Sequence, residues 1–307
     1  MSSEIHVTTC YRFKALDQAE LPAIQKRMET YADSTGLRGL CLLGVEGLNL
    51  TVSGSAETIE GFKQELQDIL QCQDLFFKNS VTNRHPFHLF KVKVKPEIVT
   101  LGRPGMIPDK AQYFHLSPQE WHEAMNDPET VVIDTRNDYE IEIGKFKKAI
   151  DFNISEFREF PEAMKNSGIP KEKKVLIYCT GGIRCEKAIL ELQDQGYQNV
   201  YQLDGGILNY LEKMPNQEFE GECFVFDYRV AVDQNLQPTA KFKLCPHCGQ
   251  PGDTKLTCVQ CTSEAVICHH CHNEGVSTCS KNCEHHHQLG TKSRKPQIQE
   301  SSKRHSH

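Results

Sequence analysis

The sequence predicts three parts in order: an α+β unit, an α/β unit with a parallel sheet, and a cysteine-rich metal-binding module. Three patterns indicate this. Strand-like and helix-like runs follow the order βαββαβ over residues 1–95, apolar strands alternate with helices over residues 116–218, and eight of the fourteen cysteines are paired between Cys245 and Cys283. At 307 residues the chain is long enough for two or three domains with sizeable cores.

The composition is that of an ordinary globular protein, with 38% hydrophobic residues, 25% charged residues and a formal net charge of −6. The whole chain therefore has no nucleic-acid signature, and any RNA contact has to be local. No stretch approaches a membrane-spanning length, and the start, MSSEIHVTTCYRF, lacks the basic and then apolar regions of a signal peptide. We therefore expect a cytoplasmic protein with no membrane partner.

The first unit, residues 1–95, has the element order of a split βαβ, ferredoxin-like (acylphosphatase-like) domain. Strands are predicted at 5–13, 40–45, 48–52 and 75–81, and apolar residues at helical spacing predict helices at 21–31 and 59–70. This order places two helices on one face of an antiparallel sheet.

A basic stripe follows in FKVKVK, where Lys91, Lys93 and Lys95 alternate with Val92 and Val94. A strand here presents all three ammonium groups on one face, an arrangement that suits the phosphate backbone of RNA. An edge strand that uses lysines to avoid pairing explains the same pattern, and both interpretations stay open. Residues 96–115, which include LGRPGMIPD, are predicted to be a linker.

The second unit, residues 116–218, centres on VLIYCTGGIRCEKAIL at 175–190. A β-prone run delivers Cys179 into a loop that opens a helix. The loop residues predicted to cradle an anion are Thr180, Gly181, Gly182 and Ile183. The glycines free backbone N–H groups, and the helix dipole and the Arg184 cation add positive charge, so the pKa of Cys179 is expected to fall. The pattern predicts a nucleophilic thiol with Arg184 as its cation.

The loop length favours sulfur chemistry over phosphate chemistry. Four residues separate Cys179 from Arg184, whereas cysteine phosphatases resemble one another in having five. The shorter cradle fits a persulfide sulfur better than a tetrahedral phosphate. Cys185 is either a resolving thiol or a packed helix residue. Asp134 and Arg136, which follow another strand, are predicted to support the loop, most simply as a bracing ion pair.

The C-terminal module, residues 219–287, has four cysteine pairs, each resembling half of a zinc site. They are Cys245 and Cys248, Cys258 and Cys261, Cys268 and Cys271, and Cys279 and Cys283. Pairing first with third and second with fourth leaves 19 and 17 residues between partners, inside the usual zinc range of about 15 to 20. An interleaved arrangement of two structural zinc ions is therefore expected, with sequential pairing as the alternative. Residues 288–307 are predicted to be a disordered tail.

Several segments resemble a rhodanese domain: DTRNDYE (134–140), GKFKKAIDFNI (144–154), FREFP (157–161), CTGGIRCEKA (179–188) and VYQLDGGI (200–207). Together with EGLNLTVSG (46–54), FKVKVKPEIVTLG (90–102) and CFVFDYRVAVD (223–233), CTGGIRCEKA more narrowly resembles the bacterial tRNA uridine(34) hydroxylase family. The resemblance spans roughly residues 5–283.

The resemblance implies oxygen-dependent conversion of the wobble uridine of certain tRNAs to 5-hydroxyuridine, with the anticodon stem-loop as partner. It also implies that Cys179 is the nucleophile and can carry a persulfide, which makes a sulfur donor a possible partner. Molecular oxygen and an unidentified reductant are the implied co-reactants, and the sequence offers no flavin, haem or non-haem iron motif to activate the oxygen. Two alternatives are a sulfurtransferase that moves sulfur through a Cys179 persulfide, and a non-enzymatic RNA-binding or sulfur-carrier adaptor.

Overall fold

The computed structural model of the chain describes residues 4–108 and 114–290. The chain forms two compact units, one up to Thr239 and the other from Ala240. Most of the predicted tail, residues 291–307, and residues 109–113 of the predicted linker lie outside the described residues. Among the helices of the described residues, none has the length and apolar character needed to cross a membrane.

The N-terminal part of the first unit has the predicted ferredoxin-like α+β structure. Its elements are β1 (Ile5–Phe13), α1 (Leu21–Thr35), β2 (Arg38–Gly44), β3 (Gly47–Gly54), α2 (Ala56–Leu70), β4 (Lys78–Thr82) and β5 (Phe90–Val94). The sheet order is β4-β1-β3-β2-β5. The sheet is not wholly antiparallel as expected, because FKVKVK adds a fifth strand, β5, parallel to β2 at the edge.

The two faces of this sheet differ in what covers them. One row of residues opposed across the strands, Cys10, Leu50, Cys41 and Val92, belongs to the apolar core with α1 and α2. The neighbouring row, Tyr11, Asn49, Leu42 and Lys93, points the opposite way, because successive strand residues alternate between faces. Because neither α1 nor α2 packs on this second side, we call it the helix-free face, although Glu186 of the next part of the unit contacts it.

The next part of the first unit has the predicted α/β architecture. Its elements are β6 (Phe114–Leu116), α3 (Pro118–Ala124), β7 (Thr130–Asp134), α4 (Asp138–Ile141), β8 (Gly144–Phe146), α5 (Phe160–Lys165), β9 (Lys174–Tyr178), α6 (Ile183–Asp194), β10 (Val200–Leu203) and α7 (Gly206–Lys213). Strands β6-β10-β9-β7 form a parallel sheet. Ser117 starts α3 with the predicted capping box to Glu120.

Helices cover both faces of the parallel sheet. Phe160 of α5 and Ile189 of α6 pack with one set of strand residues, and Trp121 of α3 and Tyr210 of α7 pack with the other. This arrangement leaves the carboxyl ends of the strands as the natural place for a site. Cys179 immediately follows β9 at this edge.

Residues 219–239 continue the first unit. Strand β11 (Phe219–Gly221) pairs with β8, and β12 (Cys223–Phe224) pairs with β13 (Ala231–Val232). The boundary expected at residues 218 and 219 stays a prediction, whereas the compact units divide at Thr239 because of this strand pairing.

A buried ion network ties α6 to the N-terminal sheet. The fully buried Lys187 donates to Glu46, in the turn between β2 and β3, and to Glu97, which follows β5, each at 2.8 Å. The backbone N–H groups of Ile98 and Leu101 donate to the same two carboxylates. The start of the predicted linker is therefore packed against both parts of the first unit.

The second unit, described from Ala240 to Gly290, consists of two small hairpins and two short helices. Its elements are β14 (Lys243–Leu244), β15 (Pro251–Gly252), β16 (Thr254–Thr257), β17 (Glu264–Ile267), α8 (His269–Asn273) and α9 (Lys281–Gln288). Strand β14 pairs with β15 and β16 pairs with β17. Its small apolar cluster contains Ile267 and three cysteines, Cys245, Cys268 and Cys271.

Candidate active site

Cys179 lies in a cradle of backbone N–H groups at the start of α6. The N–H of Gly182 donates to Cys179 Sγ at 3.0 Å, and the N–H groups of Gly181 and Arg184 also point to this sulfur. Gly182 has φ of 96°, and a Cβ there would lie 3.0 Å from the Tyr11 hydroxyl. A side chain at position 182 would therefore strain the cradle.

The surroundings stabilise Cys179 as a thiolate. Burial alone would raise its pKa, but the Cys185 thiol, the Arg184 charge and the backbone N–H groups of Arg184 and Gly181 together lower it. Burial and the adjacent Cys179 raise the pKa of Cys185 well above the ordinary value. The pair therefore carries one negative charge, on Cys179, while Cys185 keeps its proton.

Arg184 is fixed by a carboxylate. Its Nη2 donates to both oxygens of the fully buried Glu140, at 2.9 and 2.8 Å. Arg184 Nη1 and the Thr180 hydroxyl are buried and have no hydrogen-bond partner among residues 4–108 and 114–290. Because buried polar groups are normally paired, these two groups are candidates to hydrogen-bond a polar ligand of the loop.

The predicted ion pair of Asp134 and Arg136 braces the segment that carries Glu140. Arg136 is fully buried and donates two hydrogen bonds to the Asp134 carboxylate, from Nε at 2.9 Å and from Nη2 at 2.7 Å. It also donates to the carbonyl oxygens of Gly144 and Glu140. Both residues therefore act on the loop through Glu140 and Arg184, and neither contacts Cys179 in the described structure.

The far side of the loop is held by α7. The N–H groups of Ile207 and Leu208 donate to the carbonyl oxygens of Cys179 and Thr180, at 3.0 and 3.1 Å. Gly206, at φ of 67°, allows this approach, because a Cβ there would lie 2.5 Å from the Cys179 carbonyl oxygen. With these carbonyls turned towards α7, the loop presents its N–H groups to the sulfur.

The N-terminal sheet also reaches the loop. The Tyr11 hydroxyl donates to Glu186 at 2.9 Å, and Lys78 Nζ donates to the Gly181 carbonyl oxygen. Burial and Glu186 raise the pKa of Tyr11 well above its ordinary value, so it stays a donor. The helix-free face of the first sheet therefore borders the Cys179 loop.

Three family models match consecutive parts of the chain: a UPF0176 acylphosphatase-like domain at residues 5–98, a rhodanese-like domain at 117–213 and a rhodanase C-terminal region at 220–284. A Bdellovibrio bacteriovorus protein called tRNA uridine(34) hydroxylase is 54% identical over 286 residues, which cover 92% of this chain and 81% of that protein. The chain belongs to the tRNA uridine(34) hydroxylase family. Members in Synechococcus elongatus and a Synechocystis species are each 44% identical, over 82% and 80% of this chain and 93% and 88% of their own lengths.

In this member of the tRNA uridine(34) hydroxylase family, two cysteine clusters are able to hold metal. One contains Cys245, Cys248, Cys268 and Cys271, and the other contains Cys258, Cys261, Cys279 and Cys283. The sulfur atoms of each cluster lie within 4.8 Å of one another. A tetrahedral zinc ion with Zn–S distances of about 2.3 Å separates its sulfurs by about 3.8 Å, so the donor set fits zinc. The interleaved pairing is the one that the fold brings together.

His247 links the two clusters without being a ligand of either. Its Nε2 donates to the Thr278 carbonyl oxygen at 2.7 Å, and its Nδ1 lies 3.2 Å from Glu284. His247 stands between two cysteines of the first cluster in sequence, whereas both partners are next to cysteines of the second. His247 therefore connects the chain around one cluster to the chain around the other.

The lysine stripe is exposed on the edge strand. Lys91 and Lys93 of β5 and the following Lys95 are all exposed. Lys93 lies in the same row of the helix-free face as Tyr11, three strand spacings or about 14 Å away. The stripe is therefore an edge strand, as one interpretation held, and it also lies on the face that borders the Cys179 loop.

Sequence reasoning missed four groups at the site: Glu140, Tyr11, Lys78 and Gly206. Glu140 carried one local sign, since it stands three residues after Asn137 and its side chain accepts from the Asn137 N–H, which is half of a capping box. Gly206 was part of the quoted segment VYQLDGGI, but its close contact with the loop depends on the tertiary packing of α7. Tyr11 and Lys78 carried no local sign, because they come from another part of the chain.

Proposed function

We propose that this chain hydroxylates C5 of uridine 34, the wobble uridine of tRNA, to give 5-hydroxyuridine. The observation that carries the proposal is a thiolate cradle at Cys179 in a chain 54% identical to a tRNA uridine(34) hydroxylase. Molecular oxygen supplies one atom to the new C5–O bond. Two electrons from a reductant and two protons convert the other atom to water.

In this proposal Cys179 is the nucleophile, and Arg184 holds it as a thiolate. Thr180, Gly181, Gly182 and Ile183 form the cradle that accepts an anionic or oxidised sulfur. Cys185 is the resolving thiol. Its sulfur attacks the Cys179 sulfur of a persulfide, an S–S bond forms between the two cysteines as the persulfide S–S bond breaks, and hydrosulfide leaves with the Cys185 proton.

The proposed partner is the anticodon stem-loop of tRNA, which places the reaction in the cytoplasm. Lys91, Lys93 and Lys95 contact its phosphate backbone, and the helix-free face leads from this stripe to the Cys179 loop. Two zinc ions in the second unit supply folding free energy, since zinc has no redox chemistry. The rhodanese-like domain match supports a sulfur donor as a further partner of Cys179.

The test is mass spectrometry of wobble nucleosides from a strain that lacks the gene and expresses a variant in its place. Cys179→Ser is expected to abolish 5-hydroxyuridine and Cys185→Ser to reduce it. Cys72→Ser is the matched control, because this half-buried thiol beside Asp74 lies outside the site.

Three results would overturn parts of the proposal. Normal 5-hydroxyuridine with Cys179→Ser would remove the thiol from the reaction. Thiosulfate:cyanide sulfur transfer in the protein, with normal wobble uridines in the deletion strain, would identify a sulfurtransferase. Unchanged tRNA affinity and unchanged phenotype with Cys179→Ser would identify a non-enzymatic adaptor.

A further inference from the structure

We infer that Phe226 and Tyr228 form a platform that stacks unpaired nucleobases beside the Cys179 loop. The inference rests on the proposed tRNA substrate and adds a binding site to it. Phe226 is 54% exposed and Tyr228 is 56% exposed, whereas Phe224 and Val225 before them and Val230 after them are buried. Two large aromatic rings displayed two positions apart in a buried segment indicate a binding surface.

Phe226 lies next to the cation of the site. Its ring centroid is 5.6 Å from the Arg184 guanidinium, and Arg184 is one of the groups that lower the pKa of Cys179. Arg184 is only 8% exposed, and its Nη1 has no hydrogen-bond partner in the described part of the chain. A base stacked on Phe226 would bring carbonyl or phosphate oxygens within reach of this donor.

Other aromatic rings support Phe226 from below. Its ring packs edge-to-face on Phe224 at 4.8 Å, and Phe224 packs edge-to-face on Tyr139 at 5.6 Å. Tyr139 adjoins Glu140, the partner of Arg184. Tyr139 and Glu140 therefore position both the Phe226 ring and the Arg184 guanidinium next to it.

A strained turn fixes Tyr228. Asp227 accepts from Nε and Nη2 of Arg229, at 2.9 and 2.6 Å, and Arg229 Nη1 donates to Ser80 of β4 at 3.0 Å. Val230 has φ of 64°, a conformation that β-branched residues rarely adopt. Strain of this kind persists only where the surroundings impose it, and it is concentrated at functional sites.

Tyr228 also contacts the N-terminal part of the unit. Its N–H donates to the Pro86 carbonyl oxygen at 3.1 Å, and its ring lies 4.6 Å from the exposed ring of His88. The platform is thus tied to both the ferredoxin-like and the rhodanese-like parts. It lies where a bound RNA would pass from one to the other.

The charges around the rings favour nucleobases over an apolar protein segment. Arg184 borders Phe226, Lys78 contacts the Cys179 loop, and Lys91 and Lys93 lie on the helix-free face. Aromatic rings interleaved with cations are the usual means of binding single-stranded RNA, since the rings stack bases and the cations pair with phosphates.

The test uses the full chain and an anticodon stem-loop RNA with 2-aminopurine in the nucleotide that follows the target uridine. Binding to wild type should quench the fluorescence through stacking. Phe226→Leu and Tyr228→Leu keep an apolar side chain but remove the ring, so each should weaken binding roughly 5- to 100-fold and reduce the quenching. Phe226→Trp and Tyr228→Phe should restore both. Val259→Ala, which removes an exposed apolar side chain in the second unit, should change neither.

The Cys179 alkylation rate in each variant shows whether the loop is intact. Unchanged affinity and quenching in both leucine variants would overturn the platform. Equal losses in the leucine variants and in Phe226→Trp and Tyr228→Phe would also overturn it, because shape rather than stacking would then matter. If the leucine variants bind RNA normally but no longer retain a protein that wild type binds, the platform would be overturned in favour of a protein-docking surface. If wild type makes no 5-hydroxyuridine, the proposed function alone is overturned. The platform is judged by RNA binding and fluorescence quenching, which do not depend on that activity.

Discussion

Arg184 donates to both carboxylate oxygens of Glu140, at 2.9 and 2.8 Å, from the helix turn that follows Cys179. Glu140 is itself held by the N–H of Asn137, and its carbonyl oxygen accepts from Arg136. The cation that stabilises the thiolate is therefore aimed by a second, fully buried ion pair. The negative charge on Cys179 therefore depends on buried contacts that form only in the folded chain.

Arg184→Gln should raise the pKa of Cys179. Burial opposes ionisation of this thiol, and the Arg184 charge is one of the groups that overcome it. At a pH below both pKa values the thiolate fraction falls about tenfold for each unit by which the pKa rises, so alkylation by iodoacetamide at pH 5.5, below the wild-type pKa of about 6, should slow several-fold or more. The wild-type midpoint should lie below the ordinary thiol value of about 8.5, and that of the variant should be higher.

Intact-mass measurement of alkylation against pH checks this prediction. Arg158→Gln is the control, because Arg158 is an exposed arginine paired with Glu156 in the same part of the unit. An Arg184→Gln midpoint equal to that of wild type would show that the backbone N–H groups and Cys185 alone stabilise the thiolate.

Lys187→Met should destabilise the first unit by about 3–5 kcal/mol, because it leaves Glu46 and Glu97 buried without their cation. Guanidinium unfolding measures this loss. Lys165→Met, at an exposed position of α5, is the control and should change stability by less than about 0.5 kcal/mol. If Lys187→Met lowers the free energy of unfolding as little as the control does, the ion network does not couple the ferredoxin-like and rhodanese-like parts of the first unit.

The same network predicts a dependence of stability on pH. Burial opposes ionisation of Glu97, but Lys187 and the N–H groups of Leu101 and Gly102 lower its pKa. A carboxyl with a lowered folded-state pKa contributes its full stabilisation above the unfolded-state value of about 4.3. That contribution is lost as the pH falls through the folded-state pKa. The stability difference between wild type and Lys187→Met should therefore shrink below about pH 4, and a difference that grows there would contradict it.

Lys91→Gln, Lys93→Gln and Lys95→Gln should each weaken binding of the anticodon stem-loop. If each lysine neutralises one phosphate, each change lowers the slope of log affinity against log salt by about 0.7 to 0.9. Lys165→Gln provides the matched exposed control. Slopes unchanged in all three variants, with increased aggregation, would favour the alternative that these lysines only protect an edge strand.

Features set by neighbouring residues could be predicted from the sequence. The capping box of Ser117 and Glu120 and the cradle between Cys179 and Arg184 each lie within a few residues, so local rules of geometry apply. The two cysteine clusters followed from cysteine spacing, because interleaved pairing gave the loop lengths usual for zinc sites.

Features that depend on tertiary packing could not be predicted. Tyr11 and Glu186 are 175 residues apart, and nothing near either residue specifies the other. Strand alternation predicted which way the β5 lysines point, but not that β5 would lie parallel to β2, since the choice of neighbour depends on the whole sheet. Phe226 and Tyr228 were quoted within a family segment, and only their exposure in the folded chain distinguishes them from core residues.

Zinc stoichiometry in double variants tests the interleaved pairing. Cys245 and Cys268 belong to one cluster and Cys258 to the other, and loss of a thiolate ligand weakens only its own site. Cys245→Ser with Cys268→Ser should therefore retain one of the two proposed zinc ions, whereas Cys245→Ser with Cys258→Ser should retain none. Elemental analysis after dialysis measures the content. His269→Ala, at an exposed histidine outside both clusters, should keep both ions. Sequential pairing predicts the reverse for the two double variants, so the comparison decides between the schemes even if each variant is less stable.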